Sequence, residues 1–185
     1  MTQDCLATQT GTSAEDQSSI GAMSVFHLAV ATFFAPGDTS GTRGMRRKHI
    51  RSTPLWRGGT PRRDCAFLVE DDEKPGMSGM AVVRILLFFS VEYNGARYPC
   101  ALVEWFQKIG CDPVTGLWVV CHDCTCGRRD KTVVHLNCFL HAAHLILVYG
   151  DQKMPLDFDH SYSLDSFEAY YVNKYIDYHS YEVVF

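Results

Sequence analysis

Apolar positions along the chain fall into short runs separated by turn residues, not into long stripes of helical period. The clearest run, VVRILLFFSVEY at 82–93, is rich in β-branched and aromatic residues and ends in Asn94-Gly95, the pair that best fits a two-residue hairpin turn. RYPCALVEWFQ at 97–107 continues as its partner, KIGCDPVTG supplies turn residues, and LWVVCHD at 117–123 reads as a third strand, so an antiparallel meander is expected. TVVHL (132–136) and HLILVYG (144–150) read as two more strands, separated by residues of helical leaning. The expected fold class is α+β, mainly β: a small SH3-like or BAH-like antiparallel barrel over 81–150, with a long N-terminal loop and a C-terminal helix. Closure into a barrel would remove the exposed edges of strands this apolar.

The flanks differ in texture. Residues 1–19 are polar and aperiodic and are expected to form a disordered leader, followed by an extended, loop-rich segment over 20–80. Within it, IGAMSVFHLAVATFFAP (20–36) is too short for a membrane span, and acidic Asp4, Glu15 and Asp16 precede it, so a buried element is expected and no membrane partner. Residues 36–64 carry Pro or Gly at eight positions, which predicts a long loop held to the core through Trp56. After a linker that begins at 151, Asp165 reads as an N-cap with Glu168 three residues on. Phe167, Tyr170, Tyr171, Lys174, Tyr175 and Tyr178 then follow at helical spacing, predicting an aromatic-faced helix packed on the barrel. Stacking of nucleobases on these tyrosines is the alternative use.

At 185 residues with 46% hydrophobic side chains the chain has material for one real core. Its eight cysteines are too few and too unevenly placed for a disulfide scaffold, so reduced thiols in an intracellular protein, nuclear or cytoplasmic, are expected. Net charge is −4, but between Asp38 and Asp64 no acidic residue occurs, while Arg43, Arg46, Arg47, Lys48, Arg51, Arg57, Arg62 and Arg63 supply eight cations. Such a segment meets phosphate through counterion release, or is a solvated loop paired with the following Glu70-Asp71-Asp72-Glu73.

Candidate chemistry is sparse. VVCHDCTCGRRDKTVVHLNCFLHAAHL (119–145) concentrates four cysteines and four histidines. Cys121-x2-Cys124 with His141-x2-His144 is the nearest approach to a tetrahedral zinc set, but His-x2-His is shorter than the usual spacing. The expectation is therefore no metal and no cofactor: Cys121, Cys124 and Cys126 lie in a connection between strands, and His135 and His144 donate to backbone or Tyr149. Cys100, Cys111 or Cys138 could pair with His135 or His141 as nucleophile and base only if the fold brought them together. No phosphate loop, serine elbow or HExxH pattern occurs, and no small-molecule substrate is indicated.

ATFFAPGDTSGTRGMRRKHIRSTPLWRGGTPRRDCAFL, GMSGMAVVRILLFFSVEYNGARYPCALVEWF, DPVTGLWVV, VVHLNCFLHAAHLILVYG and YYVNKYIDYHSYEVVF, in this order and spacing, together span roughly residues 20 to 185. In these stretches the chain resembles the C-terminal region of proteins encoded by Plavaka-type (CACTA/CMC-like) DNA transposons of basidiomycete fungi. The resemblance implies that the transposase core lies upstream as a potential partner, and that CHDCTCG departs from acidic or polar residues in relatives. It carries no role for this region. Independently, three distant carboxylates on two metals are what DDE transposition needs, and the four consecutive acids at 70–73 point apart along a loop. The expected function is a non-catalytic, transposon-derived accessory domain whose basic loop 43–63 binds nucleic acid or chromatin. The alternative is a protein-interaction or structural remnant of a transposase C-terminus.

Overall fold

The structure, a computed structural model, describes residues 20–37, 42–150, 153–154 and 156–184. The expected leader 1–19 lies outside the described residues. The chain forms β1 (Ile20–Phe26), β2 (Leu28–Phe34), β3 (Met45–Thr53), β4 (Arg62–Arg63), β5 (Cys65–Val69), β6 (Met80–Tyr93), β7 (Ala96–Cys111), β8 (Trp118–His122), β9 (Cys124–Thr125), β10 (Arg128–Arg129), β11 (Lys131–His135), β12 (Phe139–Ala143), β13 (Leu145–Leu147), β14 (Tyr170–Val172) and one helix, α1 (Tyr178–Val184). The fold is mainly β, with a nearly closed antiparallel barrel-like sheet.

The organising element is the long hairpin β6–β7. It turns through Asn94 (φ 50°) and Gly95 (φ 75°), the left-handed pair such a turn requires. Both strands change partner midway, near a bulge between Ile85 and Leu87. At its root, β6 pairs with β5 and β7 with β8; towards the tip, β6 pairs with β1 and β7 with β11. The root half becomes the barrel because residues 139–147 bend at His144: β12 pairs with β5, β13 pairs with β14, and β14 pairs with β8.

Two cores follow from this arrangement. Phe67, Val82, Phe106, Val120 and Tyr170, one from each of five barrel strands, meet inside the barrel together with Val172. Ala66, Leu68, Val83 and Ile85, on the opposite face of β5 and β6, are covered by Ala29, Ala31 and Ile50 of the β2–β3 ribbon. Strand β5 is thus buried on both faces, which is why CAFLV reads as an unbroken apolar run. Each fully buried side chain here contributes on the order of 1.5–3 kcal/mol.

Three expectations need correction. The run 20–36 is not one buried element: it breaks at His27 into β1 and β2, whose outward Met23, Val25, Leu28, Val30 and Phe34 are exposed. Residues 43–63 are not a loop but mostly the returning strand β3 and the two residues Arg62–Arg63 of β4, because the glycines and prolines sit at turns between strands. The barrel also extends beyond 81–150, recruiting β5 and β14.

The helix expected from Asp165 is absent. Asp165 is instead drawn to Arg84 and Arg129, and Tyr170 and Val172, both 0% exposed, fill the barrel as β14. Helix α1 starts later, capped by Asp177, whose Oδ1 accepts from the Ser180 amide at 2.8 Å. The helical leaning before β13 reduces to a 3-10 turn at Leu136–Cys138 followed by β12.

Candidate nucleic-acid interface

Strand alternation sorts the eight cations. In β3, Ile50 and Ser52 are buried, so Arg46 and Lys48 share the packed side while Arg47, His49 and Arg51 face outward. Their cross-strand neighbours on the outer face are Thr32, Val30 and Leu28, giving a ribbon with one cationic and one largely apolar column. Lys48 is ion-paired with Asp177, which ties the ribbon to the start of α1. Burial pushes the Asp177 carboxyl up, yet hydrogen bonds from Lys48 and Ser180 outweigh it and hold the pKa at about 2.

The connection from β3 to β4 wraps around Trp56. The guanidinium carbons of Arg51, Arg57 and Arg62 lie 5.0, 5.5 and 4.8 Å from its ring centroid, so the indole face gathers three like charges. Asp64 offsets part of that repulsion: it accepts from Arg62 Nε at 2.7 Å and from the Arg51 amide at 2.9 Å. Trp56 therefore organises cations, where the sequence suggested a core anchor. Arg43 (φ 55°) and Arg57 (φ 52°) precede glycines at φ 75° and 78°, in left-handed turn positions that cost a non-glycine residue about 1 kcal/mol. Arg43, Arg47, Arg57 and Arg63 are exposed.

Beside the ribbon opens a cleft of about 360 Å³, lined by Lys48, His49, Arg62 and Arg63 and by the apolar Leu145, Leu164 and Ile176. Near Ile176 the chain leaves three aromatic rings in solvent: Tyr175 (66% exposed), Tyr178 (51%) and Tyr181 (52%). Tyr175 and Tyr181 lie nearly parallel, 25° apart with centroids at 6.1 Å. Tyr178 packs on Gly37 at the end of β2, where a Cβ would come within 2.4 Å of its ring. Of the C-terminal aromatics expected to pack on the barrel, Tyr170 is fully buried in it and Phe167 packs against its core, whereas Tyr175, which precedes α1, and Tyr178, its first residue, remain largely exposed.

The metal runner-up set does not assemble. Cys124 and Cys126 are exposed around the tight β9–β10 hairpin, and Cys121 ends up in β8. His141 is buried on β12, and His144 accepts from Asn173 Nδ2 at 3.1 Å. Among the described residues no three Cys, His or carboxylate groups converge on one point. The expected hydrogen bonds differ too: His135 Nδ1 accepts from the Asn137 amide at 3.2 Å and caps the 3-10 turn.

Cys100 does stand opposite His135 across β7 and β11. Burial, however, pushes the Cys100 thiol pKa up, against thiolate formation, and Cys65 is driven to about 12. A second arrangement went unread in the sequence: Ser180 Oγ lies 3.4 Å from His141 Nδ1, and His141 Nε2 3.4 Å from Asp177 Oδ2. It lacks the geometry of a nucleophile. His141 Nδ1 faces the Ala142 carbonyl at 2.7 Å and must donate there, so it has no lone pair for the serine proton, and Ser180 and His141 are each 1% exposed.

Compared with family models, with curated proteins and with solved structures, the chain matches none. Among the described residues no helix is long and apolar enough to cross a membrane.

Proposed function

We propose that the chain is a non-catalytic, transposon-derived accessory domain that binds nucleic acid through the ribbon β2–β3 and the Trp56 turn. The observation that carries this reading is the clustering of cations on one side of the fold. Arg47, His49 and Arg51 line one column of the ribbon, Arg57 and Arg62 join Arg51 around a single indole, and Arg43 and Arg57 occupy turns at either end of β3. A two-stranded ribbon with outward cations suits a phosphate backbone, since each neutralised phosphate releases counterions. Fluorescence anisotropy with a labelled oligonucleotide at 50 and 200 mM salt tests it. Binding that weakens with salt, and weakens further when Arg43, Arg47, Arg57 and Arg63 become Ala, supports the reading; no binding at 50 mM salt ends it.

A second reading is favoured by the tip half of β6–β7. Opposite the buried Phe88, Ala101 and Val103, the rows Met23–Val91–Tyr98, Val25–Phe89–Cys100 and Leu87–Leu102–Val133 form a sheet face left open among the described residues. Met23, Val25, Tyr98 and Val133 are 45–61% exposed, and apolar residues grouped on one exposed face mark interaction surfaces. Two copies packing these faces would bury no central charge, so the occupant we name is a second copy of this chain, with an interaction role alongside nucleic-acid binding. Light scattering across concentrations decides: a dimer lost in Val25→Lys supports it, and a monomer at high concentration refutes it.

A further inference from the structure

We infer that this site takes a single nucleic-acid strand in preference to a duplex, with one nucleotide seated in the cleft beside β3 and neighbouring bases stacked on Tyr175 and Tyr181. The inference rests on the nucleic-acid reading above. Its first ground is the shape and lining of the cleft. With about 360 Å³ it has room for a nucleobase and its sugar-phosphate but not for a paired stack. Its lining offers both kinds of contact a nucleotide needs: Lys48, Arg62 and Arg63 offer donors and positive charge to phosphate, while Leu145, Leu164 and Ile176 offer apolar surface to a base. The cleft's own carboxylate, Asp64, is already engaged by Arg62 (2.7 Å) and the Arg51 amide (2.9 Å), which orients the guanidinium and blunts repulsion of an anion.

The second ground is independent of charge. Tyr175 and Tyr181 form a near-parallel pair at 6.1 Å, 66% and 52% exposed, and Tyr175 is next in sequence to the cleft residue Ile176. Exposed rings bordering a cationic groove are the arrangement by which single strands are held, because unpaired bases of any sequence stack on them. A duplex keeps its bases paired and could use only the outward arginines. The C-terminal segment is held beside the ribbon by the Lys48–Asp177 ion pair and by Tyr178 on Gly37, and its Ile176 lines the groove, which brings the chain that carries the two rings to the groove's edge.

The test uses the full chain and two labelled probes at matched salt, a 15-nucleotide oligo-dT strand and a duplex of the same length. Wild type is expected to bind the single strand at least tenfold more tightly. Tyr175→Ala and Tyr181→Ala, at exposed positions where folding is easily checked by circular dichroism, are each expected to weaken the single strand roughly fivefold or more and leave the duplex unchanged. Tyr175→Phe should retain binding, since it keeps the ring. Arg47→Ala and Arg57→Ala, outside the cleft, should weaken both probes together. Equal or tighter duplex binding, or single-strand affinity unmoved by both tyrosine truncations, overturns the inference while leaving the nucleic-acid reading intact. Failure of both probes to bind overturns that reading as well.

Discussion

Replacing Glu104 with Ala should destabilise the protein more than any surface change. Glu104 and Arg84 are cross-strand partners on the barrel-side face of β7 and β6, with side chains only 6% and 8% exposed. Three cations surround the carboxylate: Lys131 at 3.2 Å, Arg129 at 3.5 Å and Arg84 at 3.9 Å. Asp165 is the other anion, 2.8 Å from Arg84. With Glu104 gone, Arg84 and Arg129 share the one carboxylate of Asp165, itself partly in solvent, and Lys131 loses its partner. Breaking a buried pair by removing one partner costs roughly 3–5 kcal/mol; the solvent access of Lys131 and the remaining Asp165 contact place Glu104→Ala near the lower end, about 3 kcal/mol. At a typical urea slope of about 2 kcal/mol/M this moves the midpoint down by about 1.5 M. The double replacement Arg84→Met with Glu104→Leu leaves no buried charge uncompensated and should fall within about 1 kcal/mol of wild type. A midpoint shift under about 0.5 M for Glu104→Ala, or a double variant as unstable as the single one, would refute the reasoning.

Stability should decline as pH falls through about 6.5, because burial lowers the pKa of His122, His141, His144 and His179 and the unfolded chain therefore takes up protons that the folded one resists. Asp177, held at about 2, keeps its favourable contribution over that window and loses it progressively as pH falls from the ordinary carboxylate range, about 4, towards 2. His141→Phe, set between Phe33 and His179, should flatten the melting-temperature change between pH 7.5 and 5.5, and an unchanged slope counts against this assignment. At the β9–β10 turn Cys126 has φ 52° beside Gly127 at φ 74°, so Cys126→Asn should raise stability by about 0.5–1 kcal/mol in urea titration, whereas a loss would show that the turn is not limiting. Prolonged chelation should leave the circular dichroism spectrum and melting temperature unchanged; stoichiometric zinc with unfolding on its removal would put Cys121, Cys124, His141 and His144 back at the centre of the protein.

What was legible in the sequence depended on whether local and tertiary preferences agreed. The meander from β6 to β8 could be read because β-branched runs, Asn94-Gly95 and the Asp112 turn all favour the same local structure; Asp112 Oδ1 indeed accepts from the Thr115 amide at 2.7 Å. The ribbon β2–β3 could not, because its outward positions Leu28, Val30 and Phe34 are as apolar as its inward ones, which erases the alternation, and because its strands, paired from Phe34–Met45 onward, are joined by the long connection 35–44 rather than by a two-residue turn. Tyr170–Val172 carried a helical spacing, but the barrel needed a strand between β8 and β13, and burial of Tyr170 outweighed helix propensity. For the candidate site, the cationic segment was visible as composition alone. The division into outward Arg47 and Arg51 and inward Arg46 and Lys48, the role of Trp56, and the nearness of Tyr175 to the cleft depend on pairings over long separations, such as Lys48 with Asp177, that no local pattern encodes. Asp177 is as good an N-cap residue type as Asp165, but Asp165 alone has a Glu three residues on, so the local pattern favours the position that tertiary ion pairs then claim.

The most direct test of the central claim is the salt dependence of oligonucleotide binding, measured as the slope of log Kobs against log salt for wild type and for Arg47→Ala, Arg57→Ala and Arg63→Ala in turn. If these side chains meet phosphates, the wild-type slope is clearly negative. Each substitution then makes it shallower by about 0.7 for a single strand, one phosphate contact at a time. A slope near zero, or one that none of the three substitutions changes, would contradict the assignment of the ribbon and its flanking turn as the nucleic-acid-binding surface.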